Sequence, residues 1–121
     1  MGGGTMSGMT LLQQAAQNGD VAEMRRLVAN GMNVNERDAH GRTALHFAAG
    51  QGHVEAIKAL EQLGADKDAK NADGWTALHF AAFKGQVEAI KALEQLGADK
   101  EAKNAAGGTP LHMAALNGLL V

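Results

Sequence analysis

Two consecutive stretches of 33 residues in this chain are nearly the same. His40 to Ala72 and Asp73 to Ala105 align without a gap and are identical at 27 of 33 positions. The period extends outward. Thr43-Ala44-Leu45-His46 returns as Thr76-Ala77-Leu78-His79 and as Thr109-Pro110-Leu111-His112, and Thr10-Leu11-Leu12-Gln13 sits in the same phase. A fixed period of this size marks stacked repeats. One unit cannot bury its apolar face alone, so each copy must lie on the next. Shared residues then mostly build the scaffold, and differing residues are where a binding specificity is written.

Each unit reads as turn, short helix, glycine, second helix, glycine, extended loop. Thr43, Thr76 and Thr109 stand where a helix N-cap is needed, because a hydroxyl there accepts from an early backbone N–H. Pro110 follows at the first helical position, where its missing donor costs nothing. Leu45, Ala48 and Ala49 form one apolar stripe, and paired alanines let helices approach closely. Gly52 and Gly85 end the first helix and Gly64 and Gly97 the second, as left-handed C-caps. Val54, Ile57 and Leu60 repeat at helical spacing in the second helix. His40-Gly41 and Asp73-Gly74 mark tight turns. The expected fold is an all-α repeat solenoid of stacked helix-turn-helix units with short β-hairpin-like loops. Residues 1–6 read as a flexible leader from expression, with Met6 or Met9 as a native start. Residues 7–121 form one elongated domain, with units at about 7–39, 40–72, 73–105 and an incomplete 106–121.

Gly-x-Thr-x-Leu-His-x-Ala-Ala, then Gly-x-Val-Glu-Ala-Ile-Lys-Ala-Leu, then Gly-Ala-Asp, at a spacing of 33, resembles the ankyrin repeat. The resemblance covers about residues 7 to 121. It implies a concave face, formed by hairpin tips and first helices, that contacts other proteins. It also implies that the Thr-x-Leu-His histidines tie adjacent repeats together through backbone hydrogen bonds. Three departures stand out. Glu61 and Glu94 replace an apolar residue late in the second helix, where the first unit has Val28; Leu63 and Leu96 are expected to supply the missing surface through a slight rotation. The Val34-Asn35 of the first unit becomes Lys67-Asp68 and Lys100-Glu101. The fourth unit stops at Leu119-Leu120-Val121, an apolar end where stacks normally carry a polar cap. Three accounts are open: the chain is cut from a longer protein, the end pairs with another copy, or the last residues are disordered.

Composition narrows the function. Eleven basic and thirteen acidic residues give a formal net charge of −2, which offers no electrostatic case for nucleic acid or an anionic membrane. No apolar run approaches a membrane span, and no signal peptide is visible. The chain has no cysteine, which excludes disulfides and thiolate chemistry and fits an intracellular, cytoplasmic or nuclear protein. Catalysis has no residues to rest on. There is no glycine-rich phosphate loop, no Cys nucleophile and no Ser-His-Asp set, and the carboxylates lie on outer helices and loops without converging. No cofactor is implied. His46, His79 and His112 recur every 33 residues, but rings one repeat apart are too far from each other to share a zinc ion. No metal site is expected.

The two near-identical units differ at six places: His40/Asp73, Arg42/Trp75, Gly50/Phe83, Gln51/Lys84, His53/Gln86 and Asp68/Glu101. The last swap is conservative. The other five fall at the hairpin tip and the end of the first helix, where the family resemblance puts the concave face. Trp75 and Phe83 have no aromatic counterpart in other units, whereas Phe47 and Phe80 read as half-buried scaffold. Eight residues at helical rise set Trp75 and Phe83 roughly 12 Å apart. The expected partner-binding set is Trp75 and Phe83 as anchors, with Arg42, Gln51, His53, Lys84, Gln86, Asp73 and His40 around them; Leu116 and Asn117 extend the same columns. The competing account of Trp75 is that it covers the helix start and packs on the stem of Arg42. His40 and His53 are candidates for a pH-sensitive contact. Lys67, Asp68, Lys70 and Lys100, Glu101, Lys103 alternate in sign and read as a solvated loop with local pairing. Glu55–Lys58 and Glu88–Lys91 read as surface pairs. Asn35, eight residues after Leu27, resembles the loop asparagine hydroxylated in some ankyrin proteins. The partner is then another protein. The alternative is a structural scaffold segment or a truncated or engineered stack that self-associates through Leu116, Leu119, Leu120 and Val121.

Overall fold

A computed structural model of the protein describes residues 8–118. The expected leader and the Leu119-Leu120-Val121 end lie outside the described residues. Among the described residues seven helices follow in order: α1 (Leu11–Asn18), α2 (Val21–Ala29), α3 (Ala44–Gln51), α4 (Val54–Gln62), α5 (Ala77–Phe83), α6 (Val87–Gln95) and α7 (Pro110–Leu116). They stack in two rows. The first helices α1, α3, α5 and α7 pack in succession, and so do the second helices α2, α4 and α6. No described residue forms a strand.

The Thr-x-x-His motif does two jobs. Thr76 and Thr109 hydroxyls accept from the His79 and His112 N–H groups at 3.3 Å, and Thr10 from Gln13 at 3.0 Å. In return the Thr43, Thr76 and Thr109 N–H groups donate to Nδ1 of His46, His79 and His112 at 2.9, 3.0 and 2.9 Å. This is a capping box with histidine in the place of glutamate or glutamine. Because Nδ1 accepts, the ring proton sits on Nε2. That proton goes to the next unit: His46 Nε2 donates to the Trp75 carbonyl at 2.8 Å and His79 Nε2 to the Gly108 carbonyl at 2.9 Å. Gln13 performs the same task with an amide, donating to the Glu36 and Arg42 carbonyls at 3.0 Å each. The first unit therefore keeps the tie with a different side chain.

Burial makes these ties matter. His46 and His79 are buried. Desolvation pushes His46 down from 6.5 to about 4, and pushes His79 down as well. Both rings are neutral at pH 7, as the hydrogen-bond pattern requires. Around them the core is thin and rich in alanine. Ala48, Ala49 and Ala81 are fully enclosed between rows, with Leu12, Met24, Ile57, Leu60, Leu78 and Leu93 as the large buried side chains.

The hairpins are built by one column of Asp or Asn. Asn71 Oδ1 accepts from the Asp73 and Trp75 N–H groups at 2.9 and 2.8 Å, and Asp38 and Asn104 do the same in their units. Successive tips then join: Ala72 N–H donates to the His40 carbonyl and Ala105 N–H to the Asp73 carbonyl, both at 3.0 Å. That approach requires Gly74. Its φ is +80°, and a Cβ there would lie 2.8 Å from the Ala105 nitrogen.

One expectation needs adjustment. The alternating charges of the long loops do not pair locally among the described residues. They bridge units instead: Lys70 Nζ donates to the Lys103 carbonyl at 3.0 Å, and Asp68 Oδ1 accepts from the Asp99 N–H at 2.8 Å. The loops are spaced one repeat apart, so a long side chain meets the neighbouring loop before its own. In the second helices Glu61 and Glu94 are exposed, and Leu96 and Val28 pack against the core. The surface pairs Glu55–Lys58 and Glu88–Lys91 are present at 3.8 and 3.7 Å.

Candidate functional site

On the face formed by hairpin tips and first helices, the aromatic residues gather into one cluster. The Trp75 ring lies 5.0 Å from Phe80 and 5.5 Å from Phe83, the latter edge-to-face at 80°. The rings of His46 and Phe80 also meet edge-to-face, at 5.4 Å. The 12 Å separation expected for Trp75 and Phe83 is thus a backbone distance only. Trp75 precedes the N-cap and lays its long side chain along the helix face from which Phe80 and Phe83 project three residues apart. Such aromatic pairs add about 0.5–1.5 kcal/mol beyond their area burial. The Arg42 guanidinium sits over the Phe47 ring, 4.8 Å from its centre.

Electrostatics fix Arg42 in place. Its Nε donates to Asp38 Oδ2 at 2.7 Å, and the Asp38 side chain is wholly enclosed. Burial works to raise the Asp38 carboxyl, but hydrogen bonds from the backbone and side chain of Arg42 and from the His40 backbone outweigh it and hold the group below its ordinary value.

Two adjoining depressions open on this face. One, of about 260 Å³, is lined by Asn71, Asp73, Trp75, Phe80, Phe83 and Lys84. The other, of about 170 Å³, is lined by Gln17, Arg42, His46, Phe47, Gly50, Gln51, Phe80 and Lys84. Phe80 and Lys84 belong to both and form the ridge between them. Phe83 is 42% exposed, and Leu116, one repeat further along the same column, is 72% exposed. Four differences between the twin units therefore bear on one continuous surface: His40/Asp73 through Asp73, Arg42/Trp75, Gly50/Phe83 and Gln51/Lys84.

The remaining expected residues are used differently. His53 Nε2 pairs with the Gln17 carbonyl at 2.9 Å, and Gln86 Nε2 donates to the Gly50 carbonyl at 3.1 Å. Both bridge neighbouring units and line neither depression, so variation in that column changes a joint between repeats. Asn117 makes the corresponding contact to the Phe83 carbonyl. His40 is exposed at a hairpin tip, with its backbone engaged on both sides and outside both depressions. Asn35 is held at both ends of its amide. Oδ1 accepts from the Asp66 N–H at 2.8 Å and Nδ2 donates to the Gly64 carbonyl at 3.4 Å. Phe80, Phe47 and Gln17 were not anticipated at the site. Phe80 looked like scaffold because its twin, Phe47, is identical; only the open space beside Gly50 exposes both.

At the last unit the stack presents a face that the others cover. Leu111 is 62% exposed, whereas Leu45 and Leu78 in the same column are 3% and 1% exposed. A groove of about 230 Å³ runs there between α6 and α7, with Ile90, Glu94 and Leu111 among its walls. Leu116 does not belong to that groove; its column puts it beside Phe83.

Among the described residues no three His, Asp or Glu side chains converge to hold a metal ion, and no helix is long and apolar enough to cross a membrane. Comparison with curated proteins finds no match. The family model for ankyrin repeats (3 copies) matches residues 2–71 and 60–120. With that match over nearly its whole length, and with the histidine ties and paired hairpin tips already described, the chain belongs to the ankyrin repeat family.

Proposed function

We propose that this chain is a non-enzymatic module that binds another protein through its concave face, with Trp75 and Phe83 as anchors. Ankyrin repeats are generally protein–protein interaction modules rather than catalysts. The observation that carries the reading is the aromatic cluster. Trp75, Phe80 and Phe83 form a half-exposed patch, and three of the four aromatic residues in the chain are in it. Clustered aromatic side chains with basic and polar neighbours are the usual makeup of an interface hot spot. Arg42, Gln51, Asp73 and Lys84 are those neighbours, with His40, His53 and Gln86 at the margin. An intracellular location, cytoplasmic or nuclear, belongs to the same proposal and rests on the absence of cysteine.

The test is partner affinity. Trp75→Ala combined with Phe83→Ala should weaken binding by a few kcal/mol and leave helix content unchanged. Substitutions at Lys58 and Lys91, on the outer helices, should leave affinity intact. Equal affinity in the aromatic double variant ends the reading.

A second reading is favoured by the bare Leu111 face. It makes the chain a scaffold that self-associates through its last unit. Light scattering over a wide concentration range decides it: a dimer lost in Leu111→Glu supports self-association, and a monomer throughout removes it.

A further inference from the structure

Gly50 has no structural reason to be glycine. It lies inside α3, its φ is not positive, and a Cβ built on it meets no atom within 4 Å. A glycine within a helix is destabilising by roughly 0.5–1 kcal/mol relative to alanine. Ten other glycines that follow the repeat have positive φ and end a helix or turn a loop; this one does neither. Its column holds Gln17, Phe83 and Leu116 in the other units. Only here does the first-helix face lack a side chain at this register. The gap left behind is the depression of about 170 Å³, floored by Phe47 and Phe80.

Charge narrows what enters it. Arg42 and Lys84 line the gap and no carboxylate does. Asp38 engages Arg42 through Nε, which leaves the terminal guanidinium nitrogens available. Lys84 has no ion pair among the described residues. The gap is therefore locally positive although the chain carries a formal charge of −2. Drug-sized ligands occupy sites of about 300–1,000 Å³; this one has room for a single ring.

We propose that the Gly50 gap receives one aromatic side chain of the partner, set beside a partner carboxylate that meets Lys84 and Arg42. The ring packs beside Phe47 and Phe80, which line the gap, and the absent side chain at Gly50 is what admits it. This rests on the concave face being the binding surface and adds the kind of residue that the surface selects.

Two small probes test it on the full chain: N-acetylphenylalanine, which carries a carboxylate, and its uncharged amide. Both are titrated into isotope-labelled protein while backbone amide signals are followed. The acid should shift the amides of Phe47, Gly50 and Gln51 saturably and bind at least three-fold more tightly than the amide. Gly50→Phe copies the residue that the twin unit carries in this column, so the variant has a precedent for folding, and circular dichroism verifies it. It should weaken the acid at least ten-fold. Lys84→Gln should erase the preference for the acid. Absence of saturable shifts at these residues overturns the proposal, as does unchanged binding in Gly50→Phe or equal binding of the acid and the amide. Natural-partner binding separates this failure from that of the broader reading. Full affinity in Gly50→Phe, with loss in Trp75→Ala/Phe83→Ala, removes the gap as a receptor and leaves the concave face as the binding surface.

Discussion

Replacing His46 by glutamine should make the protein more resistant to acid at almost no cost at neutral pH. The ring of His46 is buried, accepts the Thr43 N–H at Nδ1, and donates from Nε2 to the Trp75 carbonyl. Protonating Nδ1 destroys the acceptor. Burial holds the folded-state value at about 4, against 6.5 for an unconstrained ring. Between those values the unfolded chain binds a proton that the folded chain refuses. The stability His46 supports is thus complete above pH 6.5 and is lost as the pH falls toward 4. A difference of that size corresponds to about 3 kcal/mol. Glutamine has a working precedent at the same position of the first unit. Gln13 accepts from the Thr10 N–H at 3.0 Å and donates to the Arg42 carbonyl at 3.0 Å, and it does not titrate. Urea unfolding of wild type and His46→Gln at pH 7 and pH 4 measures the effect. The variant should match wild type within about 1 kcal/mol at pH 7, the net worth of a typical hydrogen bond. It should lose about 3 kcal/mol less on acidification. His79 is shifted in the same direction, so His46→Gln/His79→Gln should flatten the profile further. An identical loss of stability in wild type and His46→Gln would refute the reasoning.

Other perturbations follow from the same columns. Gly74→Ala forces an L side chain to φ +80° and drives a Cβ to 2.8 Å from the Ala105 nitrogen; the backbone conformation alone costs about 1–2 kcal/mol, so thermal unfolding should show at least that loss. Leu45→Ala should cost about 2–5 kcal/mol as a buried leucine truncation. Leu111→Ala, the same column and residue type but 62% exposed, should stay within about 0.5 kcal/mol. Comparable losses for the two would contradict the exposed last face. Gly50→Ala should raise stability by about 0.5–1 kcal/mol; a decrease in chemical denaturation would mean that the glycine has a packing role after all.

The fold was legible because a repeat states its own rules several times. Thr43, Thr76 and Thr109 recur in one phase, and no helix cap has to be inferred from a single instance. Comparing the twin units also led to the surface that carries Trp75, Phe83, Arg42, Gln51 and Lys84. What the comparison could not reveal is where each varying side chain points. His53 and Gln86 vary for the same outward reason as Gln51 and Lys84, yet their positions just after the helix-ending glycine turn them back onto the preceding unit. Trp75 and Phe83 touch although their backbones are most of a helix apart, because two large side chains reach toward each other and linear rise ignores side-chain length. Phe80 was hidden by identity with Phe47: the two are the same residue in the same column, and only their neighbours, Phe83 against Gly50, make one wall of an open depression the ridge of another.

The central claim is that partners meet the concave face. Photo-crosslinking in cells tests it most directly, with a benzophenone amino acid placed in turn at Phe83, at Lys58 on the outer helix row, and at Leu111 on the last unit. The account predicts a heterologous protein adduct from position 83 and none from position 58. Adducts confined to position 58, or a product of twice the chain mass from position 111 with nothing at 83, would contradict it.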